Sequence, residues 1–260
     1  MPSQIARRLL LALCSMASAL LPGLVSGAQA ATATVAAAAT LRPALEELAP
    51  LFMRNTGHVL KLAYGSSGNF YSQIRQGAPF DLFLSADMEF PERLVAEKLA
   101  SPPVFPYAKG RLVLMWHRNA SLKGDASLSD VPAALKEGRL RKFAIANPNL
   151  APYGMRAREV LKHLGLFQQV QPHLVIGENI GQATQFVSTG AAQAGLVALS
   201  LALAPELQAS VRHVLIPQEL HQPIVQGMVL LKPENLAARA FTDYLKTDAG
   251  RQILRKYGYD

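Results

Sequence analysis

The chain has 260 residues, half of them hydrophobic and 17% charged, with a formal net charge of +8. That is enough apolar sequence for one large core or two smaller ones. Its single cysteine, Cys14, excludes a disulfide framework and a thiolate metal centre, and its Lys and Arg residues form no run of five or six, which argues against a nucleic-acid partner.

In chain order, the first segment reads as a leader. Arg7 and Arg8 precede an apolar stretch from Leu9 to about Val25, and small residues follow around Ala28, Gln29 and Ala30. This is the order of a secretory signal peptide, with cleavage expected after Ala30. Ser15, Ser18, Pro22 and Gly23 interrupt the apolar run, which disfavours a membrane anchor. Leu13 fits a lipidation site at Cys14 poorly. Removing residues 1–30 takes away two arginines and no acid, so the formal charge falls from +8 to +6 on about 230 residues. A soluble periplasmic protein is expected.

Beyond the leader, strand-like and helix-like segments alternate, the signature of βα units and an α/β fold. Strands are expected over 34–38, 59–64, 81–85, 112–116, 142–146, 174–177, 195–198, 211–216 and 224–231. Between them lie helical patterns. Leu41, Ala44, Leu45, Leu48, Leu51 and Phe52 recur at three- and four-residue spacing and so share one face. Further helices are expected over 70–75, 91–98, 153–164, 180–188, 234–246 and 249–257. The polar stretch 123–130 reads as an exposed loop.

No catalytic constellation stands out. There is no GxSxG elbow, HExxH, P-loop or GxGxxG after a strand, and the six histidines never fall at i, i+4 on one helix. What recurs is a strand that ends in small or hydroxyl residues and leads directly into a helix. This happens at Ala39-Thr40, at Gly65-Ser66-Ser67-Gly68, at Ala151-Pro152-Tyr153 and at Glu178-Asn179-Ile180. Helix N-termini carry unpaired N–H groups and partial positive charge, so four of them facing one cleft would form an anion site without a cationic side chain. In open α/β sheets such termini gather at the carboxyl ends of the strands.

The pieces Val35 to Leu41, Tyr64-Gly65-Ser66-Ser67-Gly68, the block Gln73 to Asp87 (QIRQGAPFDLFLSAD), Ala151-Pro152-Tyr153-Gly154, Gly177-Glu178-Asn179-Ile180 and Tyr257-Gly258 follow one another over essentially the whole chain beyond the leader. In that order they resemble the periplasmic molybdate-binding proteins of ABC importers. The resemblance implies a two-lobed type II periplasmic-binding-protein fold, with the ligand between the lobes and a hinge of crossing strands near 110–116 and 223–231. One lobe would comprise 31–112 and 222–260, the other 113–221. It places the ligand contacts on the hydroxyls of Thr40, Ser66 and Ser67 and, chiefly through main-chain N–H groups, on Tyr153 and Ile180.

Some members of that family put a tyrosine hydroxyl on the ligand where this chain has Ala198, and Tyr153 is expected to compensate. The implied ligand is molybdate or tungstate, nearly equal in size, taken up as an oxyanion with no direct metal ligand and no cofactor. The implied partner is a membrane permease, and a monomer is the family's default. Alternatives are a sulfate-like oxyanion or ferric iron on the same fold, although no adjacent tyrosine pair is present for iron. A periplasmic enzyme is weaker still, with Glu178 as the one acid or base at the junctions.

Overall fold

The structure, a computed structural model, describes residues 30–260, so the expected signal peptide lies outside the described residues except for Ala30. The first part of the chain forms β1 (Thr32–Ala38), a 3-10 turn over Ala39–Leu41, α1 (Arg42–Thr56), β2 (Val59–Gly65), α2 (Ser67–Arg75), β3 (Leu82–Leu84), α3 (Glu89–Ala96) and β4 (Ser101–Gly110). The middle supplies β5 (Leu112–His117), α4 (Val131–Lys136), β6 (Phe143–Ala146), α5 (Pro152–His163), α6 (Phe167–Val170), β7 (Leu174–Gly177), α7 (Ile180–Ser188), β8 (Ala194–Ala198), α8 (Leu199–Ala202) and β9 (Val211–Leu215). The chain then returns through β10 (Ile224–Leu230), α9 (Leu236–Lys246) and α10 (Asp248–Lys256).

These elements make two five-stranded sheets, ordered β2-β1-β3-β10-β4 and β7-β6-β8-β5-β9. β1, β2 and β3 are parallel, and β10 runs antiparallel to β3 and β4. In the second sheet β6 is parallel to β7 and β8, while β5 is antiparallel to β8 and β9. The first sheet shows why its strands are nearly all apolar. Val35, Ala37, Leu82, Leu84 and Met228 face the core built with α1 and α9, whereas Ala36, Phe83 and Val229 face α2 and α3. With helices on both faces, each alternate side chain is buried.

Each strand stays within one sheet. The chain passes between the sheets at Arg111, which separates β4 from β5, and again through 216–223. The strands at 112–117 and 224–230 therefore flank the crossings rather than span them.

Two local features depart from the sequence expectations. β4 is unanticipated because Pro102, Pro103 and Pro106 remove donors that a central strand needs. It is tolerated at the sheet edge, where it pairs with β10 alone. The 123–130 segment is more than an exposed loop. Leu128 is buried in the second core, and Asp125 accepts hydrogen bonds from the N–H groups of Ser127 and Ser129.

Register sets the site. β1 and β2 pair with Ala38 opposite Gly65, so the chain leaves both strands at the same level. β6 and β7 pair with Ala146 opposite Gly177, which aligns the junctions leading to α5 and α7.

Candidate functional site

The four strand-to-helix junctions converge on one small cavity between the sheets. All five residues singled out from sequence line it: Thr40, Ser66, Ser67, Tyr153 and Ile180. The remaining wall is small or ring-shaped, including Ala38, Ala39, Gly65, Ala86 and Pro152. No charged side chain is among the lining residues.

Thr40 sits in the 3-10 turn and is wholly buried, yet its Oγ1 has no hydrogen-bond partner. A buried hydroxyl left unpaired costs about 1–3 kcal/mol, which makes it a donor waiting for an acceptor. Ser66 caps α2, its Oγ accepting from the Asn69 N–H at 3.3 Å. Ser67 Oγ accepts from the Ala86 N–H at 2.9 Å, so its own proton is free to be donated. α5 begins without a side-chain cap, with Ala151 extended and Pro152 in the first turn, and the N–H of Tyr153 has no intrahelical acceptor. α7 is capped by Asn179, whose Oδ1 accepts from the Gln182 N–H, while Gln182 Oε1 accepts from the Glu178 N–H. That arrangement leaves the Ile180 N–H at the helix start unclaimed.

Direct contacts between the lobes surround the cavity. Gly68 N–H donates to Leu150 O at 2.8 Å, and Asn69 Nδ2 donates to Glu178 Oε1 at 3.0 Å. Ser200 Oγ donates to Thr40 O at 2.9 Å. Sequence reasoning missed these partners because they pair residues more than 80 positions apart that carry no motif. Beside the cavity a wider groove runs between α7 and Arg42, whose guanidinium lies 4.2 Å above the Tyr64 ring.

Tyr153 is buried with its hydroxyl turned to the hinge side. Gln226 Nε2 donates to Tyr153 Oη at 3.2 Å, and Gln226 Oε1 accepts from Tyr107 Oη at 2.7 Å. Gly110 makes the approach possible, since a Cβ there would lie 1.9 Å from Tyr153 Oη. Burial pushes the Tyr153 phenol well above its ordinary pKa, so it stays neutral. Ala198 is buried and starts α8 without lining the cavity.

No acid or base lines the cavity. Glu178 is exposed. Asp87 lies one residue beyond the lining Ala86, and burial pushes its carboxyl up to about 6, opposed by the Phe90 N–H and the Ser85 hydroxyl. Among the described residues no group of three His, Cys, Asp or Glu side chains is placed to hold a metal ion, and no helix is long and apolar enough to cross a membrane.

Residues 33–260 match the family model described as bacterial extracellular solute-binding protein. The chain is 44% identical over 246 residues to the molybdate-binding protein ModA of Rhodobacter capsulatus, covering 94% of each chain. It is 39% identical to the molybdate-binding protein ModA of Azotobacter vinelandii, over 91% of this chain and 92% of that one. The solved periplasmic molybdate-binding protein of Azotobacter vinelandii superposes with a TM-score of 0.78 at 35% identity, covering 88% of this chain and 98% of its own.

Proposed function

Because the chain belongs to the family of bacterial extracellular solute-binding proteins, we propose that it binds molybdate or tungstate outside the cytoplasm and delivers it to the permease of an ABC importer. The observation that carries this reading is the cavity itself, which offers donors from both lobes and no charge. The hydroxyls of Thr40 and Ser67 and the N–H groups of Ser67, Tyr153 and Ile180 would each give a hydrogen bond to a ligand oxygen, with Ser66 holding the start of α2. Charge-assisted bonds contribute roughly 1.5–3 kcal/mol each, so five of them can outweigh stripping water from a dianion and reach micromolar affinity or tighter.

Donor-only chemistry also sets selectivity. A protonated oxyanion such as hydrogen phosphate brings an O–H that finds no acceptor here, and a buried unpaired donor costs about 1–3 kcal/mol. Sulfate has the charge of molybdate and lacks that proton, so it is distinguished by size alone. Tyr153 is the one tyrosine among the lining residues and no acid or base lines the cavity, which favours an oxyanion receptor over a ferric-iron site or an enzyme. Tyr153 contributes its main chain in this reading, because its hydroxyl is turned away toward Gln226 and Gly110.

Thermal melting with molybdate, tungstate, sulfate, phosphate, citrate and ferric ion separates these ligands, because a tight ligand raises apparent stability by mass action. The two metal-oxo dianions are expected to raise the midpoint most, and a larger rise with ferric ion or citrate would defeat the proposal. Ser67→Ala is expected to weaken molybdate binding by about tenfold or more, the worth of one charge-assisted bond. It also strands the Ala86 N–H, so a fall of about 1–3 kcal/mol in stability of the free protein accompanies it. Titration calorimetry showing unchanged affinity would remove Ser67 from the ligand shell.

A further inference from the structure

Thr40 is held from two directions by residues that do not line the cavity. Its carbonyl oxygen accepts from Ser200 Oγ at 2.9 Å and from Tyr259 Oη at 2.8 Å, and the two hydroxyls stand 3.2 Å apart. All three residues are buried. Ser200 comes from α8 and reaches across from the second lobe, whereas Tyr259 follows α10 and packs in the first core. The Tyr259 backbone is itself fixed, because Asp260 and Lys109 exchange N–H to O bonds at 3.0 and 2.9 Å. Burial pushes the Tyr259 phenol up to about 12, which keeps it protonated and able to donate.

The consequence falls on the other end of Thr40. With both carbonyl lone pairs engaged, the peptide cannot rotate in the 3-10 turn, and the unpartnered Oγ1 is the group left to meet a ligand. We propose that Ser200 and Tyr259 are positioning residues that clamp the Thr40 carbonyl and thereby aim its hydroxyl at the bound oxyanion, Ser200 doing so only when the lobes are together. The inference rests on the oxyanion reading of the cavity. It extends the functional site to two hydroxyls outside the ligand shell, one of which links ligand geometry to closure. Binding and closing would then be coupled through a single residue, since the Ser200 hydroxyl and the Thr40 carbonyl come from different lobes.

The test is a double-mutant cycle on the full chain without its leader, read by titration calorimetry with sodium molybdate. Ser200→Ala and Tyr259→Phe each remove one hydroxyl and keep the packing. Each is expected to weaken binding by about three- to tenfold, the worth of one neutral hydrogen bond. Ser200→Thr restores the donor and is expected to recover affinity. In a Thr40→Ala background, where no hydroxyl remains to be aimed, neither substitution is expected to change affinity further. Equal losses with and without the Thr40 hydroxyl would overturn the clamp, since a general loss of order acts whether or not that hydroxyl is present. Full affinity in both single variants would overturn it as well. Failure of the unaltered protein to bind molybdate at all would defeat the oxyanion reading and the clamp with it, and is distinguished by needing no variant.

Discussion

Gly68→Val is expected to weaken molybdate binding by about a hundredfold or more while the free protein stays folded, on the loss of two charge-assisted bonds. Gly68 lies in the first turn of α2, and its N–H touches the other lobe at Leu150 O, 2.8 Å away. A Cβ at this position would stand 2.7 Å from that oxygen and 3.0 Å from the Leu150 Cα. Backbone cannot yield as a flexible side chain does, so the lobes must part. The parting falls between Ser67 on one side and Tyr153 on the other, which are the two halves of the proposed ligand shell. Losing bonds from one lobe at roughly 1.5–3 kcal/mol each amounts to two to four powers of ten in affinity. Gly68→Ala, with one methyl instead of three carbons, is expected to cost about tenfold on the same scale. Within its own helix the glycine is replaceable, because alanine propagates a helix better by about 1 kcal/mol. Calorimetry gives the affinity and small-angle scattering gives the ligand-induced compaction. Wild-type affinity in the valine variant would mean that the ligand does not need the lobes in contact.

Asp87→Asn is expected to stabilise the protein at neutral pH, by up to about 3 kcal/mol from a shift of roughly two units. Burial, helped by Glu89 and opposed by the Phe90 N–H, the Ser85 hydroxyl and Arg156, raises its carboxyl from 3.8 to about 6. Its Oδ2 is buried without a partner. Between pH 4 and pH 6 the folded chain therefore keeps a proton that the unfolded chain has released. Stability attributable to this group falls as pH rises through that window, and above 6 the ionised carboxylate is a constant burden. Asparagine keeps an Oδ1 for the Phe90 N–H and the Ser85 hydroxyl, and carries no charge to bury. Urea unfolding at pH 4 and at pH 7.5 is expected to show the variant and the parent nearly equal at the lower pH and separated at the higher. An equal gap at both values would mean that the Asp87 carboxyl is not perturbed as described.

The elements that were readable are those with a long period and a clear end. The first helix could be recognised because Leu41, Leu45, Leu48 and Phe52 recur along one face, and all four are buried in the first core. The central strands were readable because sheets covered on both faces have apolar residues at every position, as at Leu82-Phe83-Leu84. β4 was not, since its prolines argue against a strand and only an edge position excuses them. The short helices α4, α6 and α8 span six, four and four residues, too few for a helical period to repeat.

The candidate site divides in the same way. Hydroxyl and small residues ahead of each helix mark where unpaired N–H groups must be, because capping chemistry is local and acts within three or four residues. The four junctions could therefore be marked from local sequence, and the choice of Thr40, Ser66, Ser67, Tyr153 and Ile180 within them came from the family resemblance. That they share one cavity, that Thr40 Oγ1 is the hydroxyl left unpaired, and that Ser200, Tyr259 and Gln226 hold its surroundings were decided by tertiary structure. Those relations depend on strand order and on how two lobes meet, and they join residues such as Thr40 and Tyr259 that lie 219 positions apart. Local preference acts through bonded neighbours and fixes where donors arise; only the packing of distant segments fixes which donors face each other and which are already taken.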